Sequence, residues 1–298
     1  MTADANERPG TYVVLALGVV ACATSVIFLK ASHTHPYWLV GARLLIAAAA
    51  LSPLYVWEWQ RHRPSPRAIL RAWPGAVMLA LHFITWTLGA RMTDATNSSL
   101  IVNLTPAVMP FVMFAMARER VNRGEVVGTL VSLAGVGVLI GSHYSLAPGN
   151  VAGDIICFGS MALFCVYLGL SRLRAGRSLW LYVVPLYAIA GVLCLAVAVG
   201  TRTRFPVLDR KELLLLLALG LVPTVIGHSV LNWCIGRMRG QIVSTANLGQ
   251  FIVAGVIAYF QFGELPDRVF YPASVLIVIG AVVVIRSNRT SVDVDAES

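Results

Sequence analysis

The chain has 298 residues, of which 57% are hydrophobic and only 12% are charged. Soluble domains carry about 25% charged residues, and a chain this apolar could not cover a water-facing surface, so these values exclude a soluble protein. The formal net charge of +9 does not indicate nucleic-acid binding, because the basic residues lie in short stretches between apolar segments, as they do in membrane proteins.

Ten apolar windows follow one another along the chain. A helix rises about 1.5 Å per residue, so about 20 apolar residues cross the roughly 30 Å hydrocarbon core. We therefore predict an all-α polytopic membrane protein with ten transmembrane helices. The windows, from first to tenth, are Tyr12–Leu29, Tyr37–Trp57, Trp73–Met92, Ala95–Ala117, Gly124–Gly141, Val151–Ser171, Trp180–Gly200, Leu213–Ile235, Gln241–Phe262 and Val269–Arg286.

The distribution of Lys and Arg predicts the orientation. With the N-terminus in the cytoplasm, fifteen of the 23 basic residues lie in inside stretches, seven lie in outside stretches, and Arg43 lies within the second window. Cytoplasmic loops carry the excess of Lys and Arg. We therefore expect a multi-pass protein of the cell inner membrane with both termini in the cytoplasm.

The five cysteines all fall within apolar windows, and no pair of them has the spacing of a metal site. Their number is odd and their surroundings are apolar, so we expect buried free thiols that behave as small apolar side chains. We also find no motif for a nucleotide, a metal or a hydrolase nucleophile. The sequence thus predicts no cofactor.

An internal repeat relates the two parts of the chain. At an offset of 146 His82 pairs with His228 and Ser98 with Ser244, and after a slip of one residue Gly135 pairs with Gly280. The repeat predicts two units, residues 1–145 with helices 1–5 and residues 146–298 with helices 6–10 and a short polar tail. Because five crossings is an odd number, the two units must be inverted relative to each other, an arrangement typical of secondary transporters.

Two long segments carry a family resemblance. They are "NSSLIVNLTPAVMPFVMFAMARERVNRGEVVGTLVSLAGVGVLI" and its counterpart "GQIVSTANLGQFIVAGVIAYFQFGELPDRVFYPASVLIVIGAVVVI". Both have a polar helix start, a Glu just after the helix and a Gly-rich helix that follows. "HPYWLVGARLLIAAAALSPL" adds a second helix with Arg43 at the usual basic position. The chain resembles the EamA-type transporters of the drug/metabolite transporter superfamily over nearly its whole length.

This resemblance implies a basket of ten helices that works by alternating access of its two halves. Helices 1, 3, 4, 6, 8 and 9 would line a central cavity, and helices 5 and 10 would be peripheral. The family moves amino acids, nucleosides, sugars and other metabolites. The resemblance therefore implies an exporter of small molecules that functions as a monomer in the lipid bilayer.

Polar side chains at membrane depth usually face the interior of a helix bundle. His82 and Trp86 lie four residues apart and share a helix face, and His228 and Asn232 repeat this spacing next to Trp233. We expect these five residues to contact substrate. The alternative is that each histidine bonds a neighbouring helix and only holds the helices together.

Further candidates lie in the fourth, sixth and ninth windows. Interhelical hydrogen bonding is an equally plausible role for them. The additional substrate-binding candidates are Ser99, Asn103, Tyr167, Asn247 and Gln250.

Arg43 and Ser25 complete the polar set. We expect Arg43 to have a structural or electrostatic role, with its side chain able to extend towards the outer interface, and Ser25 to be a weaker candidate for the cavity wall. Pro223 is expected to break the eighth helix just before His228.

The substrate class follows from the charges. Away from the ends of the windows there is no Asp or Glu, so nothing would compensate a strongly cationic substrate. A neutral, zwitterionic or weakly anionic metabolite fits better. Two other functions stay open: an intramembrane enzyme that uses His82 and His228 as acid and base, and a membrane scaffold or sensor without transport.

Overall fold

The computed structural model describes residues 9–65, 70–93, 95–143, 149–174, 178–262 and 268–296. All regular elements in these ranges are helical, as the sequence predicts. In chain order they are α1 (Pro9–Ala31), α2 (Pro36–His62), α3 (Trp73–Met92), α4 (Ala95–Val102), α5 (Thr105–Ala117), α6 (Arg123–His143), α7 (Val151–Arg172), α8 (Leu179–Gly200), α9 (Arg210–Leu219), a π-helical segment (Gly220–His228), α10 (Ser229–Ile235), α11 (Gly240–Asn247), α12 (Gly249–Phe262) and α13 (Phe270–Ala296).

Nine helical stretches in the described part of the chain are long and apolar enough to cross a membrane. They correspond to every predicted window except the third. The third window is occupied by α3, which has 20 residues but carries His82, Thr85 and Thr87. The prediction of an all-α polytopic membrane protein is confirmed by these helices.

Local sequence explains several helix ends. Pro36 stands in the first turn of α2, where its fixed φ suits a helix and its missing N–H costs nothing. Ser178 and Asp209 are N-caps whose side chains accept the amide hydrogens of Leu181 and Glu212. These caps fix where α8 and α9 begin.

Two predicted helices are broken in the structure. The fourth window divides at Asn103 and Leu104, between α4 and α5, and the ninth divides at Leu248, between α11 and α12. Turns therefore interrupt these two windows, although the stretches Leu100–Ala117 and Gly240–Ile257 are each still long and apolar enough to cross a membrane. Pro106 accounts for the first break, because its ring would clash with the carbonyl four residues earlier. For the second break we have no comparable physical reason.

The closest helix packing joins early and late parts of the chain. The pairs are α6 with α13, α3 with α7, α2 with α8, and α1 with the π-helical segment. In each pair one helix precedes position 145 and the other follows it. We call the contact region between residues 9–143 and 149–296 the seam, and most of the buried apolar core lies along it.

All five cysteines are free and buried, which confirms the prediction from their apolar surroundings. Cys157, Cys165, Cys194 and Cys234 have no measurable exposure, and Cys22 is 5% exposed. They therefore contribute to the core as small apolar side chains.

Candidate functional site

A group of buried polar and aromatic side chains lies in the seam. Its members come from α2, α3, α7, the π-helical segment and α10, so both predicted repeats contribute. We call it the central cluster, and it consists of Arg43, His82, Phe83, Phe164, Tyr167, His228 and Asn232.

His82 joins α3 to α7. Its Nδ1 lies 2.9 Å from the carbonyl oxygen of Ser160, and the Ser160 hydroxyl donates to the His82 carbonyl oxygen at 2.7 Å. These bonds satisfy one ring nitrogen and a hydroxyl that would otherwise be costly to bury. His82 therefore joins two helices through one edge of its ring, which is the alternative to substrate binding that the sequence leaves open for it.

The two histidines meet through aromatic rings. The Phe164 ring lies 4.9 Å from the His82 ring and 6.0 Å from the His228 ring, between ring centroids. Phe83 also contacts His228, with centroids 5.0 Å apart in an edge-to-face arrangement. The structure thus brings His82 and His228 against one aromatic ring.

Asn232, one turn after His228, makes two hydrogen bonds in the central cluster. Its Nδ2 donates to the Tyr167 hydroxyl and, at 2.8 Å, to the His228 carbonyl oxygen. Its Oδ1 and the Nδ1 of His228 are buried and have no hydrogen-bond partner in the structure. Buried polar atoms without partners are uncommon and costly, so these two atoms are available to a ligand.

Arg43 is buried, with 1% of its surface exposed. Its Nε donates to the Thr224 hydroxyl at 3.0 Å, its Nη1 donates to the Ser25 hydroxyl at 3.1 Å, and its Cζ lies 4.3 Å from the centroid of the Phe83 ring. The expectation that it could extend to the outer interface is therefore wrong. Hydroxyl and aromatic partners inside the seam hold it there, and Ser25 is one of them.

The π-helical segment places Thr224 and His228. Pro223 lies inside this segment, and the helix widens there instead of breaking, so the predicted break is wrong. A π turn accommodates a residue that cannot take part in the α-helical hydrogen-bond ladder. The Thr224 hydroxyl bonds the carbonyl oxygen of Leu219 at 2.8 Å while it accepts from Arg43.

The other predicted site residues do not all join the central cluster. Trp86 is buried one turn from His82 on α3. Trp233 is half-buried and stacks with Arg237, whose Cζ lies 4.2 Å from the indole ring, near the end of α10. Asn232 and Trp233 are adjacent, so their side chains leave the helix in different directions, and only Asn232 joins the central cluster by a described contact.

Three predicted residues lie at the breaks. Asn103 is half-buried between α4 and α5, and Asn247 ends α11. The side chain of Gln250, in α12, donates to that of Asn247. Ser99 lies in α4, and its side chain is outside those that the structure describes. Asn247 and Gln250 are thus joined by a hydrogen bond of their own.

Three carboxylates, Glu125, Asp154 and Glu212, are buried near helix starts, close to the ends of the predicted windows. Asp154 accepts the hydroxyl of Thr93 at 2.6 Å. The Glu125 side chain is fully buried and ion-paired with Arg239, with Nε and Oε1 2.5 Å apart. Glu212 accepts the hydroxyls of Ser32 and Thr34 at 2.7 and 2.6 Å. Each has a polar partner, so its burial is compensated.

Sequence reasoning missed the apolar members of the cluster. Phe83 and Phe164 look like any other aromatic residue of an apolar window. Sequence reasoning also missed the buried Tyr187, outside the cluster, whose hydroxyl lies 3.2 Å from that of Ser229 and which no spacing distinguishes. The repeat finds His228 because it has a polar counterpart, and it gives no such signal for aromatic residues.

Many apolar helices and a polar cluster buried where early and late helices meet are the architecture of a membrane transporter. The model of the EamA-like transporter family matches residues 10–141 and again residues 151–286. The chain belongs to this family and is a multi-pass membrane protein.

Two comparisons with individual proteins agree with this assignment. The aromatic amino acid exporter YddG of Ancylobacter novellus is 26% identical over 174 residues, which cover 55% of this chain. The matched part spans 57% of the exporter's length. A protein of known crystal structure superimposes over 95% of this chain and 99% of its own with a TM-score of 0.75 and 19% identity, a likeness that concerns the fold alone.

Proposed function

We propose that the protein is a secondary transporter that exports small neutral or zwitterionic metabolites, such as amino acids, across the cell inner membrane. It works as a monomer by alternating access of two inverted five-helix repeats, residues 1–145 and 146–298. The ten crossings include α3, and both termini are in the cytoplasm.

One observation carries this proposal: His82 and His228, which occupy equivalent positions of the repeat, lie against the same Phe164 ring in the seam. Inverted-repeat transporters hold their substrate between the repeats near the middle of the membrane. Two buried atoms without partners lie at this place. The Nδ1 of His228 can donate or accept a hydrogen bond, and the Oδ1 of Asn232 can accept one. Transport between the repeats would use them.

The helix breaks support the same location. Asn103 and Leu104 interrupt one repeat and Leu248 interrupts the other, at positions that correspond to within a residue or two in the two repeats. Discontinuous helices expose backbone polar groups at membrane depth, and such groups are tolerated where they line a cavity or are buried in protein. We propose that Asn103, Asn247 and Gln250 contact the substrate there.

The helix pairs support a two-fold relation between the repeats. The third helix of the first repeat, α3, packs on the first helix of the second repeat, α7. Conversely, the first helix of the first repeat, α1, packs on the π-helical segment, which belongs to the third helix of the second repeat. This pattern is what a two-fold relation between the repeats requires. The name of the exporter relative favours amino acids with an aromatic part, which the Phe83 and Phe164 rings suit.

The test is a flux screen in proteoliposomes over amino acids and nucleosides, with His82→Ala and His228→Ala. Loss of a direct contact should lower transport about tenfold, equivalent to about 1.4 kcal/mol of transition-state stabilisation. The exposed His62 supplies the control His62→Ala, which should keep full activity. Undiminished flux in both buried variants would exclude the histidines as substrate contacts.

A further inference from the structure

The strongest unexplained feature is the charge of Arg43. Its guanidinium is buried and, among the described residues, none gives it a carboxylate partner: its contacts are two neutral hydroxyls and the Phe83 ring. Burying a charge is expensive unless it is paired with an opposite charge and hydrogen-bonded. The carboxylates of Glu125 and Glu212 are engaged by other partners near helix starts.

Its donors are also incompletely used. A guanidinium has five N–H donors, and the contacts with Thr224 and Ser25 account for two of them. Nη2 is buried and has no partner. The unused donors are those of a planar fork, which matches the two oxygens of a carboxylate.

The neighbours of Arg43 complement the rest of such a ligand. Phe83 lies beneath the guanidinium and also contacts His228. One turn beyond His228, the unpaired Oδ1 of Asn232 can accept a hydrogen bond from an ammonium or hydroxyl group. The central cluster therefore offers three groups to a ligand: the guanidinium of Arg43, the ring of Phe83 and the Oδ1 acceptor of Asn232.

We propose that Arg43 binds the carboxylate of the transported metabolite, which makes the substrate a carboxylate-bearing zwitterion or weak acid. This inference rests on the proposed transport function and narrows its substrate class. The charge of Arg43 is compensated when the site is loaded. The hydroxyls of Ser25 and Thr224 hold the guanidinium plane in place for the incoming oxygens, and the aromatic rings cover the apolar part of the substrate.

The test uses matched compounds that differ in one group. Proteoliposomes with wild-type protein, Arg43→Gln and Arg43→Lys are assayed for uptake of phenylalanine, its primary amide and phenethylamine, and of leucine with its corresponding amide and amine. Wild type should favour the carboxylates over the amides by at least about tenfold, since a buried charge is left unpaired by the amide. Arg43→Gln should lose most carboxylate transport and change amide transport little.

Controls separate binding from folding. Arg61 also stacks on an aromatic ring, Trp57 at 4.5 Å, but is exposed, so Arg61→Gln should behave as wild type. Thermal unfolding of Arg43→Gln and Arg43→Lys shows whether each variant is folded. Arg43→Lys keeps the positive charge but lacks the planar guanidinium, so it should retain part of the preference for carboxylates.

The outcomes distinguish the two proposals. Wild-type transport with equal rates for acids and amides, or an Arg43→Gln variant that is folded and transports acids as well as wild type, would overturn the role of Arg43 and leave the transporter proposal standing. An equal loss for all compounds in folded Arg43→Gln would also overturn it. No flux of any compound by folded wild type, in this panel and in the wider screen, would overturn both.

Discussion

At the scale of residues, the hydrogen bonds of the central cluster join buried side chains, where a polar atom left without a partner is costly. Asn232 is the clearest example, with one amide group that donates to both Tyr167 and the His228 carbonyl. These bonds tie α10 to α7 and to the end of the π-helical segment. Polar contacts in the central cluster thus orient the candidate site as well as hold helices together.

Replacing Tyr167 by Phe tests this orientation. The change removes the hydroxyl that accepts from Asn232 Nδ2 and leaves that N–H buried without this partner. We therefore expect the free energy of unfolding to fall by about 0.5–2 kcal/mol. The midpoint of thermal unfolding in detergent should fall accordingly. Tyr271 on α13 is exposed and Tyr271→Phe serves as the control. Equal midpoints for the two variants would mean that the Asn232 bond contributes nothing.

At the scale of elements, small residues let helices approach closely. A methyl group added to Gly280 on α13 would lie 2.1 Å from the Ser132 hydroxyl and 2.4 Å from the Gly128 carbonyl oxygen, both on α6. Neither atom belongs to the far end of a long side chain, so the helices must move apart. This close approach is the packing expected of helices in lipid.

Gly280→Ala should therefore destabilise the protein by about 1–3 kcal/mol, the usual cost of overpacking. The matched control is Gly137→Ala on α6, where an added methyl group meets nothing within 4 Å. That variant should be neutral or slightly more stable, because Ala favours helix over Gly. Similar unfolding midpoints for the two variants would contradict the close contact of α6 and α13.

The sequence predicts the helices better than it predicts the breaks and contacts between them. Length and hydropathy locate the membrane-spanning helices because a spanning helix needs a long apolar run. They do not locate the breaks at Leu104 and Leu248, since both lie in apolar windows. The repeat singles out His82 and His228, whose rings both lie near that of Phe164 in the structure. The partners of Arg43 depend on how three helices pack, which no local pattern encodes.

At the scale of the whole molecule, ion pairs join the two repeats at one end. Arg172 and Arg239, from the second repeat, pair with Glu119 and Glu125 of the first at 2.6 and 2.5 Å. Glu119 also accepts the amide hydrogen of Gly240. In the proposed orientation this end is cytoplasmic. Opening towards the cytoplasm would have to break these contacts.

Glu125→Gln should shift the population towards the inward-open state, because it weakens the contact that this state lacks. Maleimide labelling of the buried Cys165, with the other four cysteines replaced by Ala, should then be faster. Glu58→Gln, on α2 and without an ion pair to the second repeat in the described residues, is the control. Identical labelling rates would show that the Glu125 pair does not restrain opening.

The central claim is that substrate passes through the seam between His82 and His228. Single cysteines at positions 82 and 228, in a chain without its native cysteines, test it by labelling with a water-soluble maleimide in proteoliposomes. Both positions should react when reagent is added from either side. Phe111→Cys, at an exposed position on the outer face of α5, should stay unreactive in the lipid. If positions 82 and 228 resist labelling from both sides under all transport conditions, the seam is not the path.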